Sequence, residues 1–433
     1  MTPHISVLGA GMAGLAAGQR AARLGCEVEV FEKNPYSGGH TYSHEMEGFT
    51  FDEGPHISFT KRPEIKDLLA NAVNGEFLEQ DSLISNNWRG QWIKHPAQCN
   101  LHGLPTDIVE RCIVDFARAR FEPERQIQTY ADWCHQGLGE AFSQEFTFPY
   151  TRKYWTTEAA NMSTDWVGER MYPPKLEEVV RGALNAETEN FHYLNSFRYP
   201  TRGGFNSYVP AVEVQGQVKT DYELASVDLK KREMEFCNGQ KVGFESLISS
   251  LPLPELIRRV KDVPTPVREA AEKLVCTSVV VVNVGVKRDE GFPDAHWMYF
   301  YDEDISFARA NLPHRLSPHN VPAGCGSVQV EVYHSKYKPL PQEDTLNRAI
   351  EDMKRVGLVR GDDEIVVAHQ QRIAYANVLF DLERAYNLGV VQTYLAEQNV
   401  ACCGRYGEWA YYWTDDSIVS GWRAADKVCE ARD

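Results

Sequence analysis

Three glycines and one glutamate near the start of the chain are spaced to hold a diphosphate. Gly9-Ala10-Gly11-Met12-Ala13-Gly14 follows a short apolar run, His4–Leu8, and opens a segment of helix formers, Leu15–Leu24, that Gly25 ends. Gly9 permits the tight turn, Gly11 lets the backbone approach a pyrophosphate, and Gly14 lets helix and strand pack closely. The free N–H groups of the helix start, at Met12 and Ala13, and the positive end of its dipole then face the phosphates. A second alternating run, Glu27–Phe31, ends in Glu32. A carboxylate there accepts from ribose hydroxyls and disfavours a 2′-phosphate.

Further along come Lys33, the pair Gly38-Gly39, His40, and the run Phe51-Asp52-Glu53-Gly54-Pro55-His56-Ile57. Near the C-terminus stands Gly404-Arg405-Tyr406-Gly407, followed by a helical pattern from about Ser417 to Ala431. An NAD enzyme with a single strand–turn–helix unit needs none of these additions. In flavoproteins the double glycine lets backbone close over the pyrophosphate and ribityl chain, and the C-terminal segment adds a further wall. Together they predict FAD, bound non-covalently, since no His or Cys lies in a flavin-linkage motif.

The elements that must position these residues are α/β in pattern. We expect a Rossmann-type FAD-binding domain built from residues 1–60, 196–255 and 386–433. A mainly helical substrate domain is expected at 61–195, with helices near Pro63–Val73, Asp107–Ala119 and Thr129–Gln136. An antiparallel or mixed sheet of roughly six strands is expected at 256–385, including Thr277–Val286, Trp297–Tyr301, Ser327–Tyr333 and Glu364–His369.

The 433 residues carry a net charge of −16. That charge makes nucleic acid and anionic membranes poor partners, and no run approaches the roughly 18 apolar residues of a transmembrane helix. The ten cysteines are scattered with no CxxC pair, which argues for reduced thiols in a cytoplasmic protein and against a zinc site. The N-terminus lacks the pattern of a secretory signal.

Several longer segments carry a resemblance. They are GPHISF around His56, WRGQWIKHPAQCNLHGLP from Trp88, FPYTRKYW at Phe148–Trp155, and WVGERMYPP at Trp166–Pro174. FRYPTRGG at Phe197–Gly204, YDEDISFARANL at Tyr301–Leu312 and GRYGEWAYYWTDDS at Gly404–Ser417 complete the set. With them the chain resembles the UDP-galactopyranose mutases of the eukaryotic type, within the FAD-dependent amine oxidase and protoporphyrinogen oxidase-like superfamily. The resemblance implies an isomerase in which the N5 of reduced flavin attacks the anomeric carbon of a nucleotide-diphosphate sugar. The nucleoside diphosphate leaves, the ring recloses through a different hydroxyl, and no net electrons are consumed. NADH or NADPH is then a candidate reductant, and an oligomer is compatible with the family.

Carried over residue by residue, the resemblance assigns Arg170 and Arg309 to the diphosphate, which suits guanidinium forks. It assigns Tyr150 and Trp155 to the nucleotide pocket and Tyr411 to a hydrogen bond on the diphosphate. His56 lies on the loop at the flavin's reactive edge. Arg405, Asp415, Asp416 and Ser417 fall beside the flavin, with Pro55 next to His56. The sequence departs from the family at Ala410, where an arginine is usual, at Trp413 in place of a bacterial aspartate, and at Asn377 where a tyrosine is expected. Polar contacts are lost there and an aromatic is gained. The rival reading is an amine oxidase- or desaturase-like FAD oxidoreductase, which has no need of paired arginines.

Overall fold

The computed structural model describes residues 3–123, 126–188, 191, 194–214, 216–342 and 344–430. The chain is α/β. Its first layer is a five-stranded parallel sheet in the spatial order Val400–Cys402, Ser246–Ser249, His4–Leu8, Glu27–Phe31, Val218–Lys219. His4–Leu8 is central and buried from Ile5 onward, which suits its apolar Ile5, Val7 and Leu8 with only the small Ser6 between them. Helix Met12–Arg23 follows it directly, and helix Thr414–Glu430 packs on that helix so closely that a Cβ at Gly421 would stand 2.2 Å from the Ala13 carbonyl oxygen. This last helix begins three residues before the expected Ser417, and its expected end at Ala431 lies outside the described residues.

The second layer is a seven-stranded mixed sheet. Its order is Ile365–Ile373, Ser278–Val286, Gly326–His334, Arg309–Asn311, Trp297–Phe300, Ile84–Trp88, Gln91–Lys94. Ser278–Val286 is covered on both faces, and its valines divide accordingly. Val280, Val282 and Val284 meet Ala349, Ile350 and Met353 of helix Thr345–Arg355. Val279 and Val281 join the core that contains Tyr333 and Ile373. A three-stranded antiparallel meander, Leu224–Asp228, Glu233–Phe236 and Lys241–Gly243, stands apart from both sheets.

Two expectations need correcting. The segment 61–195 opens with a helix as expected but carries three strands between Phe77 and Lys94. Phe77–Asp81 pairs with Ser196–Pro200, and Ile84–Trp88 with Gln91–Lys94 forms a hairpin on the edge of the seven-stranded sheet. The hairpin turn is Arg89-Gly90, both at positive φ (49° and 76°), as a tight two-residue turn between twisted strands requires. Ser196–Pro200 does not return to the parallel sheet, which is re-entered only at Val218–Lys219. The helices of this segment are Pro63–Ala72, Thr106–Phe121, Tyr130–Leu138 and Leu176–Leu184, with a run of short helical turns between Glu140 and Tyr154.

Candidate functional site

The carboxyl ends of the parallel strands, the inner face of the seven-stranded sheet and the Glu140–Trp166 helical turns enclose one cavity of about 1030 Å³. Its floor is the glycine turn. Gly9 is at φ +93°, and a Cβ on Gly14 would fall 1.9 Å from the Gly9 carbonyl oxygen, so Gly14 is required for strand–helix contact rather than for lining the cavity. A Cβ on Gly11 would find its nearest protein atom 3.9 Å away, which leaves the backbone at Gly11 open to a ligand. Gly38 (φ +108°) and Gly39 (φ +58°) bring a second backbone strand against it through a Gly11–Gly38 bridge. The first amides of helix Met12–Arg23 have no intrahelical acceptor, and Met12 and Ala13 line the cavity. Glu32 is buried and oriented by two backbone donors, Ala10 N at 2.8 Å and Asn34 N at 2.9 Å. Each carboxylate oxygen keeps a lone pair for a hydroxyl. The cradle therefore fits a dinucleotide.

Lys33, His40, Pro55, His56, Arg405 and Ser417 also line the cavity. Asp415 and Asp416 do not. Asp415 accepts from Thr60 Oγ1 at 2.6 Å, and Asp416 pairs with Arg62 at 3.5 Å while accepting from Trp413 N at 3.2 Å. They fasten the start of the last helix to the Phe59–Arg62 segment. His56 Nδ1 donates to the Gly54 carbonyl at 2.9 Å, and burial pushes its imidazole down to about 4. Beside it sits a group that sequence reasoning missed. Burial alone would raise the Glu53 carboxyl, but hydrogen bonds with His40 (3.0 Å) and His44 (3.1 Å) outweigh it and hold the group at about 2; Gln371 adds a further donor at 2.8 Å.

The other half of the cavity is aromatic and cationic. Tyr150 stacks on Tyr154 (5.5 Å) and meets Tyr299 edge-on (5.4 Å), and Trp155 meets Tyr411 at 5.2 Å. Tyr154 and Tyr411 share a hydroxyl–hydroxyl hydrogen bond of 3.0 Å. Arg170, at the end of the short turn Gly168–Arg170, donates to the Tyr411 carbonyl at 2.5 Å. Its guanidinium carbon lies 4.1 Å from the Tyr411 ring and 3.8 Å from the Trp413 ring. Arg405 donates from Nε to the Tyr412 carbonyl (2.7 Å) and from Nη1 to the Ala376 carbonyl (3.2 Å) and Asn377 Oδ1 (3.4 Å). Among the described residues neither Arg170 nor Arg405 is ion-paired to a carboxylate.

Arg309 differs. It is brought to the same cavity, but its Nε and Nη2 fork onto Glu331 of the adjacent strand, which also accepts from the Tyr333 hydroxyl at 2.9 Å. Glu331 carried a sequence signal. In Ser327–Tyr333, Gln329 and Glu331 alternate with Val328, Val330 and Val332, so the strand has a polar inner face that must be satisfied by partners. Arg372, exposed on Ile365–Ile373, and Gln98 line the cavity as well and were not anticipated.

Among the described residues no cluster of His, Cys, Asp or Glu is placed to hold a metal ion, and no helix is long and apolar enough to cross a membrane. All ten cysteines are free thiols. Distance in sequence hid one neighbour pair, Cys26 and Cys429, whose Sγ atoms lie 3.4 Å apart.

Comparison with known proteins agrees with this layout. A model described as an NAD(P)-binding Rossmann-like domain matches residues 7–72. The 4,4'-diaponeurosporene oxygenases of Staphylococcus aureus are 46% identical over 57 residues, 13% of this chain and 12% of theirs, so the match spans about an eighth of the length of those curated relatives. Among solved structures, a reduced UDP-galactopyranose mutase superposes with a TM-score of 0.93 at 28% identity, over 99% of this chain and 96% of that one. The chain resembles UDP-galactopyranose mutase from end to end. A putrescine oxidase bound to putrescine (TM-score 0.67, 14% identity, 99% of each chain) and a CLA-producing fatty acid isomerase from P. acnes (0.66, 13%, 98% of each) share the fold alone. The wider fold thus houses oxidases as well as isomerases, and the chain has the build of a dinucleotide-binding flavoenzyme.

Proposed function

We propose that the protein binds FAD non-covalently and isomerises a nucleotide-diphosphate sugar, exchanging pyranose and furanose forms of a UDP-galactose-like sugar. The observation that carries this reading is the guanidinium of Arg170, unpaired with any carboxylate among the described residues and held by Tyr411 and Trp413 in the same cavity as the dinucleotide cradle. A cavity that needs only to accept a hydride from an amine or a hydrocarbon has no use for a half-buried arginine held by rings; a diphosphate leaving group does.

The cradle residues Gly9, Gly11, Met12, Ala13, Glu32, Gly38 and Gly39 would hold FAD, whose reduced form supplies a nucleophilic N5 for the anomeric carbon. The chain's own residues do the rest. Arg170 and Arg405 meet the diphosphate charge as it separates from the sugar, in surroundings where charge interactions are stronger than in water. Tyr150 and Trp155 offer flat apolar faces to the base. Tyr411, through its bond to Tyr154, is oriented to donate to a phosphate oxygen. Arg309, already satisfied by Glu331, shapes the sugar side of the cavity, and half-buried His56, lowered to about 4, stays neutral at physiological pH.

The test is anaerobic incubation of dithionite-reduced protein with a panel of nucleotide sugars, followed by chromatography for ring isomers. Ring isomers should form with many turnovers per reduction, and the oxidised protein should be silent. Bleaching of the oxidised flavin by an amine or a hydrocarbon, with no isomerisation by the reduced form, would establish the oxidoreductase reading instead.

A further inference from the structure

Trp413 stands where the mutase resemblance leads one to expect a different residue, and its neighbours give it a task. Arg170 lies in a loop between Trp166 and helix Leu176–Leu184, on a single turn that belongs to neither sheet. A long arginine side chain on such a loop would sample many rotamers. Here it rests on two rings at 3.8 and 4.1 Å, separations short enough that the ring faces, not their edges, must meet the guanidinium. Stacking uses none of the five N–H donors, which radiate in the guanidinium plane, and leaves the positive charge unneutralised.

The Trp413 seat is itself braced. Its ring meets Phe59 edge-on at 4.7 Å, its backbone N–H is accepted by Asp416 at 3.2 Å, and the last helix starts at the next residue. Asp415 and Asp416 tie that helix start to Thr60 and Arg62. The platform is therefore anchored at three points, while its face is turned to Arg170.

We propose that Trp413 is a positioning residue that, together with Tyr411, seats Arg170 at its anion-binding place before any ligand arrives. The inference rests on the nucleotide-sugar reading and deepens it. An arginine already ordered does not lose its rotamer freedom on binding, so the diphosphate meets a preformed donor edge.

The experiment titrates UDP into FAD-loaded protein by calorimetry. It compares the parent with Trp413→Ala, Trp413→Leu, Trp413→Phe, Arg170→Ala and the Arg170→Ala/Trp413→Ala double variant, with FAD content and melting temperature recorded for each. We expect Trp413→Ala and Trp413→Leu to weaken UDP binding about tenfold. Trp413→Phe, which restores a ring face, should recover most of that loss. Leucine fills the space beside Phe59 without a π face, so an Ala-like defect in the Leu variant separates stacking from mere packing. In the Arg170→Ala background, removing Trp413 should change nothing further. If the parent binds UDP and Trp413→Ala binds it equally well, the proposal falls while the nucleotide-sugar reading stands. A Trp413 effect that persists without Arg170 also overturns it, because the indole would then touch the ligand directly. A parent that does not bind UDP overturns the nucleotide-sugar reading and this proposal with it.

Discussion

On the helical side of the cavity Arg170 is packed against Tyr411 and Trp413 and, among the described residues, is paired with no carboxylate; on the sheet side Arg309 is forked onto Glu331. Both guanidinium groups enter the same space, and the resemblance gives them the same task. Their surroundings give them different ones. Aromatic faces hold an arginine without cancelling its charge, whereas a buried carboxylate at hydrogen-bond distance cancels it and makes the pair part of the fold. Arg309 has 21% of its side chain exposed and Glu331 only 5%, so the loss of either leaves the other stranded in a largely water-free wall. The difference between the two walls is between a guanidinium held by aromatic faces and one paired with a carboxylate.

The largest expected effect breaks the sheet wall. Arg309→Ala or Glu331→Ala should destabilise the fold by about 3–5 kcal/mol, the usual cost of orphaning one member of a buried pair, read as a lowered urea midpoint. Replacing both by apolar residues should recover much of the loss. If Arg309→Ala unfolds at the parent's midpoint, the pair is not structural and the contrast between the walls disappears.

Next is the helical wall. Arg170→Ala should leave the urea midpoint within about 1 kcal/mol of the parent and FAD content unchanged, yet weaken UDP binding by about 2–5 kcal/mol. Arg170→Lys should recover only part, since an ammonium cannot present the planar fork. Equal UDP affinity in Arg170→Ala and the parent would place the anion elsewhere.

A smaller effect joins the two aromatic elements. Tyr154→Phe and Tyr411→Phe should each cost about 1 kcal/mol in stability, and a double-mutant cycle should return a favourable coupling through their 3.0 Å hydroxyl contact. Full additivity would mean that the contact contributes nothing.

The gentlest perturbation is acid. His56 is lowered by burial from 6.5 to about 4, so its neutral form supports the fold fully above pH 6.5, and that support is lost as pH falls toward 4. Asp52, raised by burial to about 6, acts with the opposite sign, because its protonation over the same range favours the folded state. His56→Gln should therefore flatten the acid limb of the melting temperature–pH profile, and ¹⁵N NMR should find the His56 ring neutral at pH 6. A ring that titrates near 6.5 would rule out the buried, neutral assignment.

The glycine cradle was readable because its geometry is local. Gly9, Gly11, Gly14 and Glu32 occupy one strand–turn–helix–strand unit, and only glycine suits a positive φ at position 9 or a carbonyl 1.9 Å from a would-be Cβ at position 14. The inner-facing Glu331 was half readable: its strand pattern announced a polar face but not the arginine that would meet it. The edge hairpin at Ile84–Lys94 escaped because Ile84-Ser-Asn-Asn-Trp88 buries three consecutive residues and so lacks strand alternation; only the turn at Arg89-Gly90 marked it. The resemblance sets Asp415 and Asp416 beside the flavin; their bonds to Thr60 and Arg62 join segments about 350 residues apart in the chain, which no local pattern encodes.

The sequence alone determined the dinucleotide cradle, the α/β class, the division between parallel and mixed sheets, and the aromatic-basic segments that line the cavity. These depend on backbone conformation and on periodicity over a few residues. Tertiary structure alone decided which arginine is paired with a carboxylate. The Glu331 that pairs with Arg309 is 22 residues away in sequence, and the Trp413 and Tyr411 that seat Arg170 lie more than two hundred positions away. Whether a guanidinium faces a carboxylate or a ring depends on how separate elements pack across a cavity, and no spacing within a single segment encodes that.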